Sequence, residues 1–157
     1  MSHRQNLITR VRTLCTDFST SSPLPTLLSN FTTNPPATAL EHGLPHLAPF
    51  LGRAFKGSDG LTTYFGLLSD LLTIENMVFE PEETWVVDER AMAVSLRGEG
   101  RFTWNATGQT WEETFVYRIG LAEDAGVVKV VVYEVWADTG AAYLARRGLL
   151  ELLEVEG

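Results

Sequence analysis

Residues 127–138, reading VVKVVVYEVWAD, are the densest β-branched and aromatic run in the chain. Such a run belongs in a strand. Side chains alternate faces along a strand. Val127, Lys129, Val131, Tyr133 and Val135 therefore share one face, and Val128, Val130, Val132, Glu134 and Trp136 the other. With Lys129 marking the wetter face, Glu134 points inward. A carboxylate on an apolar face must be paired, protonated or open to a cavity. The plainer reading leaves Glu134 near the strand end, reaching water.

The remaining pattern surrounds this strand with an α+β arrangement. Leu7, Ile8, Val11, Leu14, Cys15 and Phe18 form a helical stripe over residues 4–19. A short helix follows over 24–31, then a short strand over 37–42. Residues 43–52 are an apolar loop rich in Pro and Gly, suited to cover a core or act as a lid. A helix over 59–72 buries Leu61, Tyr64, Phe65 and Leu68. Strands follow over 74–79, 84–87, 91–104, 111–121 and 127–136, and a last helix runs over about 139–153, with Gly148 placed to bend or interrupt it.

Turn positions suggest a register. A symmetric loop over 105–110 sets Trp104 opposite Trp111 and Phe102 opposite Glu113. Gly98 and Gly100 then serve strand curvature and leave space beside Phe115 and Tyr117. A four-residue turn over 122–125 sets Glu113 opposite Glu134 and Trp111 opposite Trp136. Two facing carboxyls would share a proton, and one pKa would rise into the range of a general acid. A slipped register or a bulge would instead turn one Glu to solvent.

Composition narrows the partners. A net charge of −8 argues against nucleic acid or an anionic membrane. Cys15 is the only cysteine, so no internal disulfide forms. Eighteen consecutive apolar residues occur nowhere, and the N-terminal residues lack a signal-peptide core. The default expectation is one cytoplasmic domain over 1–157. His42 and His46 make no metal pair, because Gly43 and Pro45 between them disfavour a helix and no third ligand is placed. No phosphate-binding glycine loop is present, so no cofactor is expected.

Three segments carry a family resemblance: Leu40-Glu41-His42-Gly43, Gly57-Ser58-Asp59-Gly60-Leu61-Thr62-Thr63-Tyr64-Phe65, and Tyr133-Glu134-Val135-Trp136-Ala137-Asp138-Thr139-Gly140. Over residues 4 to about 147 the chain resembles the nuclear transport factor 2-like superfamily, in its SnoaL-like branch. The resemblance implies a cone: a strongly bent antiparallel sheet wrapped around N-terminal helices and a deep pocket, with a C-terminal helical extension. Enzymes of that superfamily include ketosteroid isomerases, polyketide cyclases, scytalone dehydratases and epoxide hydrolases, and many members only bind ligands or partners. An acidic base near the end of the first strand would fall at Glu41-His42. The paired histidines of the dehydratases are not matched, and Arg97 and Arg118 fall on the expected outer face.

The candidate catalytic set is His42, or Glu41 beside it, with Glu134, Glu113 and Tyr117. Tyr64, Trp85, Trp104, Phe115 and Trp136 are the candidate pocket lining, although aromatic faces also serve as plain core. Three functions compete. The first is a cofactor-independent isomerase, cyclase or dehydratase acting on a hydrophobic polyketide- or terpenoid-like molecule. The second is a silent module binding a hydrophobic small molecule. The third is a homodimeric scaffold using Val127, Val131, Tyr133 and Val135.

Overall fold

Helix α1 (His3–Ser19) starts on a capping box between Ser2 and Gln5 and buries Leu7, Val11, Leu14 and Cys15, the stripe read from the sequence. The computed structural model describes residues 1–156. Short α2 (Leu24–Leu28) leads to β1 (Thr38–His42) and β2 (Phe55–Lys56). Helix α3 (Gly57–Leu71) buries Leu61, Tyr64 and Phe65. The strands β3 (Leu72–Phe79), β4 (Val86–Asp88), β5 (Ala93–Trp104), β6 (Gln109–Asp124) and β7 (Val127–Trp136) follow. The expected C-terminal helix is two: α4 (Thr139–Arg146) and α5 (Leu150–Glu156). Gly148, at φ +70°, makes the break, in a conformation that L side chains avoid.

These strands form one curved, unclosed sheet ordered β2-β1-β7-β6-β5-β3, with β4 beside β5. The α+β architecture is the expected one. One seam differs from an all-antiparallel sheet: β1 runs parallel to β7, pairing Ala39 with Tyr133 and Glu41 with Val135. The sheet's curl has a local cause at Gly98. A Cβ there would lie 2.5 Å from Phe115 Cε2 and 2.9 Å from Phe79 Cδ1, so only glycine lets both rings fold over β5.

The β5–β6 hairpin closes two residues tighter than expected. Trp104 faces Gln109, because Trp104 O accepts from both Thr107 N (3.2 Å) and Gly108 N (2.8 Å) in a compact turn. Phe102 consequently faces Trp111, Gly100 faces Glu113 and Gly98 faces Phe115. A slip of two preserves the face of every side chain. Glu113, Phe115 and Tyr117 therefore still point inward.

The β6–β7 hairpin overturns the opening expectation. Its turn has two residues, Ala125 (φ +51°) and Gly126 (φ +78°), so Asp124 pairs with Val127. Further along, Leu121 pairs with Val130 but Gly120 pairs with Val132, leaving Val131 as an extra residue. One extra residue inverts the alternation. Val130 is buried before the bulge, and Tyr133 and Val135 are buried after it. Glu134 thus lies on the outer face opposite Arg118, not Glu113, and Trp136 faces Val116, not Trp111. Tyr133 and Val135 cannot belong to the outer dimer face for the same reason.

Candidate functional site

Between the concave sheet face and helices α1 and α3 lies a cavity of about 710 Å³. Its aromatic wall includes Phe65, Trp111, Phe115, Tyr117 and Tyr133. The apolar loop contributes Phe50 and Leu51, both buried, so it covers the core.

Strand alternation along β1 buries Ala39 and Glu41 and turns His42 outward. Glu41 is 8% exposed and lines the cavity. Its Oε1 accepts a hydrogen bond from the Tyr64 hydroxyl at 2.6 Å. Burial pushes the Glu41 carboxyl up to about 7; the Tyr64 bond pulls against that rise, and the nearby Glu113 charge adds to it. Glu41 is therefore a carboxyl poised to gain or lose a proton near neutrality.

Glu113 is the second carboxyl of the cavity. Oε1 accepts from the Trp111 indole at 2.7 Å, and Oε2 from Asp138 N at 2.9 Å. Its pKa is raised, chiefly by burial, against the pull of those two donors. Asp138 Oδ1 in turn caps α4 through Ala141 N at 3.0 Å. Glu113 thus ties β6 to the junction between β7 and α4 while facing the cavity.

Tyr64, Tyr117 and Tyr133 complete the polar end. Tyr133 sits between the others, with ring centroids 6.1 Å from Tyr64 and 5.0 Å from Tyr117. Burial, with the negative charge of Glu41 contributing, holds all three hydroxyls above the usual tyrosine range. All three stay protonated, hence donors, across ordinary pH. A donor cluster beside a titratable carboxyl can stabilise an enolate oxygen while the carboxyl moves the proton.

The sequence-derived candidates divide. Glu113, Tyr117, Tyr64 and Phe115 line the cavity. His42 and Glu134 do not; they meet outside, with His42 Nε2 2.9 Å from Glu134 Oε2. The His42 ring stacks on Trp136, centroids 4.3 Å apart and 11° between planes. Arg118 Nη1 stands 3.9 Å from Glu134 Oε1. Trp85 is buried away from the cavity, its indole donating to Glu80 O at 2.9 Å. Trp104 is also core, packed against Phe50. Strand reading missed Tyr133, which the bulge brings inward, and Trp111, which the two-residue slip sets beside Phe102. Glu41 shares its strand face with Ala37 and Ala39, and His42 shares the other with Thr38 and Leu40, a pattern that leaves the choice between them open in the sequence. Among the described residues, no three His, Cys, Asp or Glu side chains converge as a metal site requires. No helix among them is long and apolar enough to cross a membrane.

Neither a family model nor a curated protein matches the chain. Solved structures do match, at low identity. PrhC from Penicillium brasilianum is 17% identical over 98% of this chain and 97% of its own, with a TM-score of 0.68. BvnE pinacolase from Penicillium brevicompactum is 16% identical over 98% of this chain and 99% of its own, with a TM-score of 0.67. An NTF2-like protein from Burkholderia xenovorans is 18% identical over 93% of this chain and 97% of its own, with a TM-score of 0.66. The architecture is therefore the nuclear transport factor 2-like fold.

Proposed function

We propose that this nuclear transport factor 2-like cone is an acid–base enzyme for a hydrophobic small molecule, of the isomerase, cyclase or dehydratase type and working without a cofactor. The observation that carries the reading is Glu41: a buried carboxyl at the cavity wall, bonded to Tyr64 and poised near neutral pH. In the isomerase form, the Glu41 carboxylate takes a proton from carbon next to a carbonyl. The C–H electron pair forms a C=C bond and the carbonyl π pair moves onto the oxygen, which Tyr117 or Tyr133 meets as a hydrogen-bond donor. Protonated Glu41 then returns the proton to another carbon. A cavity of about 710 Å³ suits a polyketide- or terpenoid-sized frame. The pinacolase among the structural neighbours is compatible with rearrangement chemistry in such a cone.

Deuterium wash-in tests the reading. A panel of hydrophobic cyclic ketones is incubated in heavy water with the protein and with Glu41→Gln. Exchange at the α-carbon should fall by about 10²- to 10⁴-fold in the variant. Equal exchange with both proteins sinks the proposal and leaves a silent binding module.

A second reading concerns assembly. On the outer face Val116 and Trp136 are register partners and are 37% and 42% exposed. An exposed apolar pair in a sheet centre suits a homodimer through that face. Light scattering at micromolar concentration should give twice the chain mass, and Trp136→Lys should halve it; a monomeric mass for the unaltered chain refutes it.

A further inference from the structure

Among the described residues five carboxyl side chains line the cavity, Asp17, Glu41, Glu75, Glu113 and Asp138, and no lysine, arginine or histidine does. Most of the five are already engaged or solvated. Glu113 has both oxygens bonded. Asp17 accepts from Ser22 Oγ at 2.9 Å and Asn30 Nδ2 at 2.7 Å. Asp138 caps α4, and Glu75 is exposed at the mouth. Glu41 differs. Only Oε1 is bonded, to Tyr64, and Oε2 has no protein partner among the described residues. Oε2 is not sealed in protein either, since among the described residues Thr32 Oγ1 is the one buried side-chain nitrogen or oxygen without a hydrogen-bond partner. On a side chain 8% exposed, Oε2 therefore opens into the cavity.

A buried carboxyl with one oxygen free wants a donor, and a charged donor most of all. Nine aromatic side chains line the same space, and ring faces attract cations while enclosing carbon. An anionic ligand would instead add a like charge to a wall that offers no cation. We propose that the cavity takes a hydrophobic ammonium: an apolar body bearing one protonated amine that bonds Glu41 Oε2. An ammonium there favours the Glu41 carboxylate and lowers its pKa. This goes beyond the acid–base reading and shares only Glu41 with it: it concerns which ligand is held, not whether a proton moves.

The test uses three probes with one ring frame: 2-(1-naphthyl)ethylamine, 2-(1-naphthyl)ethanol and 1-naphthylacetate, titrated by calorimetry at about pH 7.5, where the amine is charged. The amine should bind about tenfold more tightly than the alcohol, and the carboxylate at least about tenfold more weakly than the alcohol. Glu41→Gln should bring the amine to the alcohol's affinity. An alcohol that binds as well as the amine, a carboxylate that binds best, or no binding by any probe overturns the proposal. So does an amine preference that survives Glu41→Gln. Should that variant not fold, the order on the unaltered chain decides alone. The ketone exchange test fails separately: an amine preference without exchange loss refutes the catalytic reading only, and exchange loss without an amine preference refutes this one only.

Discussion

Keeping Glu41 buried sets a pH-dependent price on stability, and Glu41→Gln should remove it. The carboxyl's pKa rises from 4.5 to about 7 on folding. Between those values the folded chain holds a proton that the unfolded chain has released, so stability falls as pH rises. Below about 4.5 the group contributes no penalty; above about 7 the penalty is complete. At about 1.4 kcal/mol per pH unit, the full penalty is on the order of 3 kcal/mol. Gln keeps an oxygen for the Tyr64 hydroxyl and cannot ionise. Urea unfolding of both proteins between about pH 5 and pH 8 measures the difference. The variant's advantage should grow with pH and level off near 8, reaching on the order of 10 °C in thermal midpoint for a domain of this size. A difference between the two proteins that stays flat across that range would refute the argument. It would mean that Glu41 titrates as an exposed carboxyl and that its burial is relieved in some other way.

Other consequences follow from single contacts. Tyr64→Phe removes the donor to Glu41 Oε1, so the unfolding free energy at neutral pH should drop by about 1–3 kcal/mol. Because that hydrogen bond holds the carboxyl down, the pH midpoint of any Glu41-dependent activity should move upward as well. Gly98→Ala drives a Cβ against the Phe115 ring and Phe79; chemical denaturation should show a loss of about 1–3 kcal/mol, and an unchanged midpoint would remove this explanation of the sheet's curl. Asn30 is fully buried and bonds Arg10, Asp17 and the Leu27 carbonyl, so Asn30→Ala should destabilise by at least about 2 kcal/mol in the same assay.

Much of the fold was legible because it rests on local periodicity. The α1 stripe, the α3 stripe and strands β5 and β6 each bury one apolar face that nothing later rearranges. The inward set on β6, Glu113, Phe115 and Tyr117, survived a wrong turn length because the error was two residues, an even number. The candidate site was less legible, since His42, Glu134, Trp85, Trp104 and Trp136 do not line the cavity. Glu113, Tyr117, Tyr64 and Phe115 were placed by parity and helical spacing, whereas the choice between Glu41 and His42 needed β1 to be seated against β7 and α3.

The sequence by itself determined that 127–136 is a strand and that its valines must be buried on at least one face. It could not determine which face Glu134 takes. That depends on Val131, which is looped out because the tight Ala125-Gly126 turn and the partner strand β6 set a register that β7 meets only with one residue to spare. The side-chain period of a strand is two, so one unpaired residue exchanges inside for outside. Tertiary pairing, not composition, sent Glu134 out to His42 and Arg118. The same exchange brought Tyr133 in beside Tyr64 and Tyr117, where the cavity's hydroxyls gather.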